Sequence, residues 1–294
     1  MDVVRSFKDS FHIYKDNLIF LLPHLVKYVI DIGLLLVFGF LALLVIGLGI
    51  SRIAFASLYD PKALISHLGA SGFFVIFILL LGFLLLVLVT TFLNASARVA
   101  IIGMAEEGID MRKTDLMRGW SSVKKHALKV FGFMILLFFL LIIAILPGFL
   151  PLILVAIAGA SRFLMIASVI LGLLSAMILF LLIFVVTLFT PQCIVLEDTG
   201  IYGGIKGSYA FVRKNILEVL VYGVVVMIIL IVVGIVTVGI FVPLNFIVGG
   251  SVMGKFIVES SRNLFSLLVG LILAPYFEIV KTHMVVSWRE EVIG

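Results

Sequence analysis

Six stretches of this chain are so long and so apolar that only a lipid bilayer suits them. They lie at about 24 to 50, 72 to 97, 130 to 156, 163 to 189, 216 to 242 and 264 to 286. Each exceeds the roughly 20 residues a helix needs to cross a hydrocarbon core about 30 Å thick. Backbone groups in lipid must be satisfied internally, which leaves helices or closed barrels. Barrel strands alternate apolar and polar residues over about 10 positions, and these runs do not alternate. The expected fold class is all-α integral membrane, with six transmembrane helices. With 64% hydrophobic and 13% charged residues, the 294-residue chain lies far outside soluble-domain composition.

A shorter pattern recurs ahead of the first, third and fifth runs. Phe7, Leu116 and Ile205 correspond, as do Phe11, Trp120 and Tyr209, then Tyr14, Val123 and Val212, then Leu18, Ala127 and Ile216. This spacing of 4, 3 and 4 is one apolar stripe of a helix. On its polar side Lys15, Lys124 and Arg213 align, followed by Asn17, His126 and Asn215. The pattern predicts a single membrane domain, 1–294, built from three repeats at about 1–108, 109–199 and 200–294. Each repeat would be a cytoplasmic amphipathic helix followed by a transmembrane hairpin. The junctions share a cue, since Glu106, Glu107, Gly108 and Ile109 resemble Glu197, Asp198, Thr199, Gly200 and Ile201.

With the N-terminus inside, Arg52, Lys62, Arg162, Lys255 and Arg262 fall outside and the other sixteen basic residues inside. The positive-inside rule then predicts a multi-pass protein of the cell membrane with cytoplasmic N- and C-termini. It places Phe11, Lys15, Trp120, Lys124, Tyr209 and Arg213 at the inner headgroup level, where apolar burial and attraction to anionic lipid add. The tract Lys124, Lys125, His126 and Lys129 reads as a lipid-facing patch, and no nucleic-acid partner is expected. No cleaved signal is expected either, because the first run is far longer than a signal peptide's apolar region. The single cysteine, Cys193, permits no internal disulfide.

Residues 18 to 50 would measure about 50 Å as one helix, too long for tilt alone. Pro23 offers a break near its start, Pro147 and Pro151 near the end of the third run, and Pro243 near the end of the fifth. The apolar extensions 148–160 and 243–250 are therefore expected as short re-entrant or interfacial segments.

Ionisable residues inside apolar runs are costly, about 2.5 to 3.5 kcal/mol at mid-bilayer, and point to function. Asp31 stands out, with Lys27 one turn before it. The two read either as an i, i+4 ion pair near the interface or as a working intramembrane site. Arg98, Glu218, Glu278 and Lys281 fall near the cytoplasmic ends of spans. Together with Asn94 and His283 they form either one inward cluster or a solvated rim.

Catalytic constellations are scarce. Gly69, Ala70, Ser71 and Gly72 spell a G-x-S-G with His67 nearby, but a serine nucleophile needs a base within reach, and His283 is expected at the opposite membrane face. A glycine-rich turn is the expected form of this stretch. No metal-binding spacing links His12, His24, His67, His126 and His283, so neither a metal nor another cofactor is expected. Gly200, Gly203, Gly204 and Gly207 lack the preceding strand of a dinucleotide fingerprint and are expected to permit close helix contact.

The stretch Pro191, Gln192, Cys193, Ile194, Val195, Leu196, Glu197 and Asp198, then Ile205, Lys206, Gly207, Ser208, Tyr209, Arg213, Lys214 and Asn215, resembles a known family. It is similar to the membrane domain attached to some bacterial glycerophosphoryl diester phosphodiesterases and to stand-alone prokaryotic membrane proteins of that type. The resemblance implies a proline ending one span and a K-x-S-aromatic helix leading into the next. It implies no activity, because the catalytic barrel with its metal-binding acids and histidines has no counterpart here.

Three functions follow as expectations. The first is a non-enzymatic membrane protein engaging anionic lipid headgroups, or a membrane-protein partner, through its three cytoplasmic helices. The alternative is a transporter or channel for a small ion or amphiphile. The minor alternative is an intramembrane enzyme acting on lipid.

Overall fold

The computed structural model describes residues 2–59, 63–157, 162–248 and 250–293. Among these residues the chain forms α-helices and no strand: α1 Val3–Asp16, α2 Leu21–Tyr59, α3 Ala63–Met111, α4 Leu116–Ile157, α5 Arg162–Thr187, α6 Thr190–Leu196, α7 Ile201–Lys214, α8 Ile216–Val248 and α9 Val252–Ile293. Six of them, α2, α3, α4, α5, α8 and α9, are long and apolar enough to cross a membrane. The chain is thus a multi-pass membrane protein. Neighbours in sequence pack pairwise from α2 to α5, α8 packs on α9, and α9 returns against α3 and α2.

Several helices run further than the apolar runs alone. α3 extends from Ala63 through Met111, about 74 Å at about 1.5 Å per residue, so Gly69 to Gly72 are helical rather than a turn. The side chains of His67 and Ser71 lie outside the described residues. α4 passes through Pro147 and Pro151 to Ile157, and α8 passes through Pro243 to Val248. The expected separate segments at 148–160 and 243–250 are therefore helical continuations over 148–157 and 243–248, with a turn at residue 250. A proline removes one amide from the ladder, which a long helix can absorb when its other bonds remain.

The second of the three predicted amphipathic helices is also continuous with its span, within Leu116–Ile157, whereas Val3–Asp16 and Ile201–Lys214 are separate helices. Asn17 and Asn215 explain the breaks. Each is a helix C-cap, and each side-chain amide donates to a carbonyl four residues back, Ile13 at 2.9 Å and Phe211 at 3.0 Å. A short amide competes there with the backbone's own donor and ends the helix. A 3-10 turn, Leu18–Phe20, then re-aims the chain so that Pro23 falls in the first turn of α2. At the matching position His126 points its Nδ1 toward Asp198 at 3.7 Å, and α4 runs on.

Packing concentrates at the end of the bundle that carries both termini. In α3, Ala95, Val99, Ile101, Ile102, Met104 and Ala105 are fully buried, while Phe73, Phe77, Leu81 and Leu85 of the same helix are exposed. Close crossings hold this end together. A Cβ on Gly119 of α4 would come 2.9 Å from the Met104 sulfur and 3.3 Å from the Ala100 carbonyl of α3. Gly204 lies against Ile194 and Gly207 against Cys193, so these two glycines let α7 sit on α6. Gly200 instead caps α7, and Gly203 meets only its neighbour Thr199.

Candidate functional site

The three segments predicted as amphipathic helices dock into the protein as well as facing outward, which splits the predicted stripe. Phe7 packs into the core, its ring 5.8 Å from Tyr222 and 6.1 Å from Tyr276. Tyr14 and Val212 are buried. By contrast Phe11, Trp120 and Tyr209 remain 53%, 59% and 48% exposed, and Lys15, Lys124 and Arg213 are exposed too. Lys124 lies over the Trp120 ring at 5.5 Å. Stripe residues turned toward α8 and α9 find apolar partners within the protein, so one aromatic column is left on the outside.

The basic tract of α4 is likewise divided. Lys125 and Lys129 both grip the Asp198 carboxylate, at 2.6 and 3.1 Å, and these hydrogen bonds hold that carboxyl down at about 2. Lys125 and Lys129 are thus not free lipid-facing charges. The acids of the earlier junction also serve α4: Glu106 pairs with Arg118 at 2.9 Å, and Glu107 accepts from the Thr114 hydroxyl at 2.8 Å.

Between the six spanning helices, at the termini end, lies a cavity of about 340 Å³. Each of the six contributes to its wall. α2 supplies His24, Lys27 and Tyr28, α3 Asn94 and Arg98, and α9 Glu278 and Lys281, with Tyr222 from α8. Glu278 is its anchor. Oε1 accepts from Lys281 at 2.8 Å and lies 3.7 Å from Arg98 Nε, and Oε2 accepts from Gln192 Nε2 at 2.8 Å. Glu278, Lys281 and Gln192 are all buried, where an ion pair persists only with its remaining bonds satisfied. Lys27 pairs with Asp31 at 2.9 Å and lies over the Tyr28 ring at 4.6 Å.

The structure therefore brings Arg98, Glu278, Lys281, Asn94 and Lys27 to one cavity, with Asp31 attached through Lys27. Glu218 and His283 lie elsewhere. Glu218 sits in the first turn of α8, where a carboxylate meets the positive end of the helix dipole. His283 meets the Ser6 hydroxyl at 3.3 Å, on the α1 side of α9. Two members escaped the sequence. His24 follows Pro23 at a helix start and reads as interface, and Gln192 is uncharged within an apolar turn. Neither ring nitrogen of His24 has a hydrogen-bond partner among the described residues, although the residue is only 5% exposed.

The motif around Ser208 has a structural role. Its hydroxyl donates to the Val186 carbonyl at 2.6 Å and accepts from the Phe189 amide at 3.2 Å, which satisfies backbone groups released where α5 ends and α6 begins. Among the described residues no group of three or more His, Cys, Asp or Glu could hold a metal ion.

Residues 83–287 match the model of a family described as Domain of unknown function (DUF7847). That match includes Arg98, Gln192, Glu278 and Lys281 and stops short of α2, which brings His24 and Lys27. No curated protein and no solved structure matches the chain.

Proposed function

From the premise that this chain belongs to the family of the Domain of unknown function (DUF7847), whose model spans more than half of it, we propose a non-enzymatic role in engaging anionic lipid at the membrane face that carries the termini. One observation carries this reading. At corresponding positions of α1, α4 and α7 an aromatic stays exposed, Phe11, Trp120 and Tyr209, with an exposed base four residues on. Rings of this kind suit the headgroup level, and a base beside them attracts anionic lipid. The aligned columns favour three repeats, and the excess of bases at this end favours cytoplasmic termini. The stretch Lys206, Ser208 and Tyr209 supports a likeness to the membrane domain of glycerophosphoryl diester phosphodiesterases.

Trp120 and Trp288 are the only tryptophans, which makes the test direct. In nanodiscs of a Trp288→Phe variant, brominated anionic lipid should quench Trp120 more strongly than brominated zwitterionic lipid at equal mole fraction. Neutralising Lys15, Lys124 and Arg213 together should remove that preference. Equal quenching by both lipids in the parent would overturn the reading.

A second reading, a carrier for a small ion or amphiphile, is favoured by the charged cavity to which all six spanning helices contribute. Its test is flux in proteoliposomes with and without Arg98→Gln.

A further inference from the structure

We propose that the cavity between the six spanning helices is a binding site for the phosphate-bearing headgroup of a single anionic lipid. The inference rests on the second reading only for the cavity itself, and requires that the cavity bind such a headgroup, independently of any transport.

Charge balance is the first argument. Three cations line or enter the cavity wall, Lys27, Arg98 and Lys281, against two carboxylates, Glu278 and Asp31. Lys281 and Lys27 each hold a carboxylate at 2.8 and 2.9 Å. Arg98 is left with the weaker share, 3.7 Å from an oxygen that Lys281 already holds. That separation is an ionic contact and too long for a hydrogen bond. A guanidinium has five N–H donors in a planar fork, and Arg98 gives none of them to a hydrogen bond among the described residues. One positive charge in excess, with its donors free, calls for an anion, and the fork matches a phosphate in two-point contact.

His24 is the second, independent argument. It lines the same cavity, is 95% buried, and leaves both ring nitrogens without a partner among the described residues. A buried polar group in that condition is costly unless something occupies the space before it. A phosphate ester offers acceptor oxygens to a ring N–H.

The remaining wall selects a lipid over a free anion. Phe133, Leu137, Phe184 and Phe277 continue the cavity toward the apolar part of the bundle. A headgroup held by Arg98 and His24 would thus have its chains lying along apolar side chains between the spans. The volume, about 340 Å³, is at the small end of ligand pockets and fits a headgroup without its tails.

Native mass spectrometry of the full chain, delipidated in detergent, tests this with phosphatidylglycerol, phosphatidylcholine and inorganic phosphate as probes. The K15Q/K124Q/R213Q background removes the interfacial bases, so failure of the interfacial proposal leaves this measurement intact. In that background one phosphatidylglycerol should remain bound at high collision energy, while phosphatidylcholine and inorganic phosphate should not. Arg98→Gln should weaken its binding about tenfold, the loss of one charge-assisted contact. His24→Leu should weaken it as well while leaving the unliganded melting temperature unchanged or raised, because it removes a polar group that has no partner. Phosphatidylglycerol binding indifferent to both substitutions, or matched by phosphatidylcholine, would overturn the proposal. Retention of inorganic phosphate with the same Arg98 dependence would overturn its lipid part.

Discussion

Tyr14 and Tyr276 face each other across the joint between α1 and α9, their rings 6.1 Å apart, and each hydroxyl donates to the backbone of the helix that carries the other. Tyr14 donates to the Ile272 carbonyl at 3.0 Å and Tyr276 to the Phe7 carbonyl at 3.1 Å. Ile272 lies one residue beyond the carbonyl that Pro275 deprives of its usual donor. The pair fixes α1 against the last spanning helix and so closes the termini end of the bundle. Tyr14→Phe and Tyr276→Phe should each cost about 1 kcal/mol, the net value of a typical hydrogen bond. Melting in detergent for the four members of the double-mutant cycle should show coupling between them; strictly additive losses would count against a shared joint.

The same joint should weaken in alkali. Burial pushes the Tyr14 hydroxyl up from 10.0 to about 12. Between those two values the unfolded chain has lost a proton that the folded chain keeps, so stability falls as pH rises. The contribution is complete below pH 10 and gone above about 12. Melting temperature followed from pH 9 to 12 should fall less steeply in Tyr14→Phe than in the parent, and parallel curves would refute the assignment.

Glycines should divide sharply by location. Gly119→Val at the α3–α4 crossing forces a side chain against Met104 and the Ala100 carbonyl, and overpacking of this kind costs about 1 to 3 kcal/mol. Gly33→Ala and Gly223→Ala meet open space and should be neutral or stabilising by up to about 1 kcal/mol through helix propensity. Melting temperatures of the three variants decide the matter.

Ser208→Ala should release both the Val186 carbonyl and the Phe189 amide where α5 gives way to α6. Leaving such groups unsatisfied costs about 1 to 3 kcal/mol. Ser208→Thr, which keeps the hydroxyl, should recover part of the loss, and hydrogen exchange at the Phe189 amide should report the opening directly.

Glu278 is the group whose neighbours tolerate least. Lys281→Met takes away its closest cation and leaves the buried carboxylate with Gln192 and the distant Arg98. Breaking a buried pair from one side costs about 3 to 5 kcal/mol. The double variant Lys281→Met with Glu278→Leu should be more stable than Lys281→Met alone, a reversal that thermal unfolding can detect.

The helical membrane class was legible in the residues because transfer to lipid sums along the chain and needs no partner. Asp31, Arg98, Glu278 and Lys281 were legible for the same reason, each a charge where charge is costly. His24 and Gln192 gave no such signal: one resembles an interfacial residue beside a proline, and the other is a neutral amide in an apolar turn. Glu218 and His283 looked like members of the cluster, yet their helices turn them toward other surroundings. The helix breaks at Asn17 and Asn215 were aligned but not foreseeable as breaks, since the outcome depends on whether the side chain closes on its own backbone or, as at His126, reaches across to Asp198.

The sequence by itself determined six spanning helices and the amphipathic pattern ahead of three of them. Tertiary structure decided which face of each helix is buried and which polar residues converge. The reason is physical. Lipid tails are as apolar as a protein core, so hydrophobicity cannot mark the face where one spanning helix meets another. That choice rests on close crossings such as Gly119 against Met104, on the Tyr14 and Tyr276 exchange, and on the carboxylate of Glu278, around which residues from three helices gather.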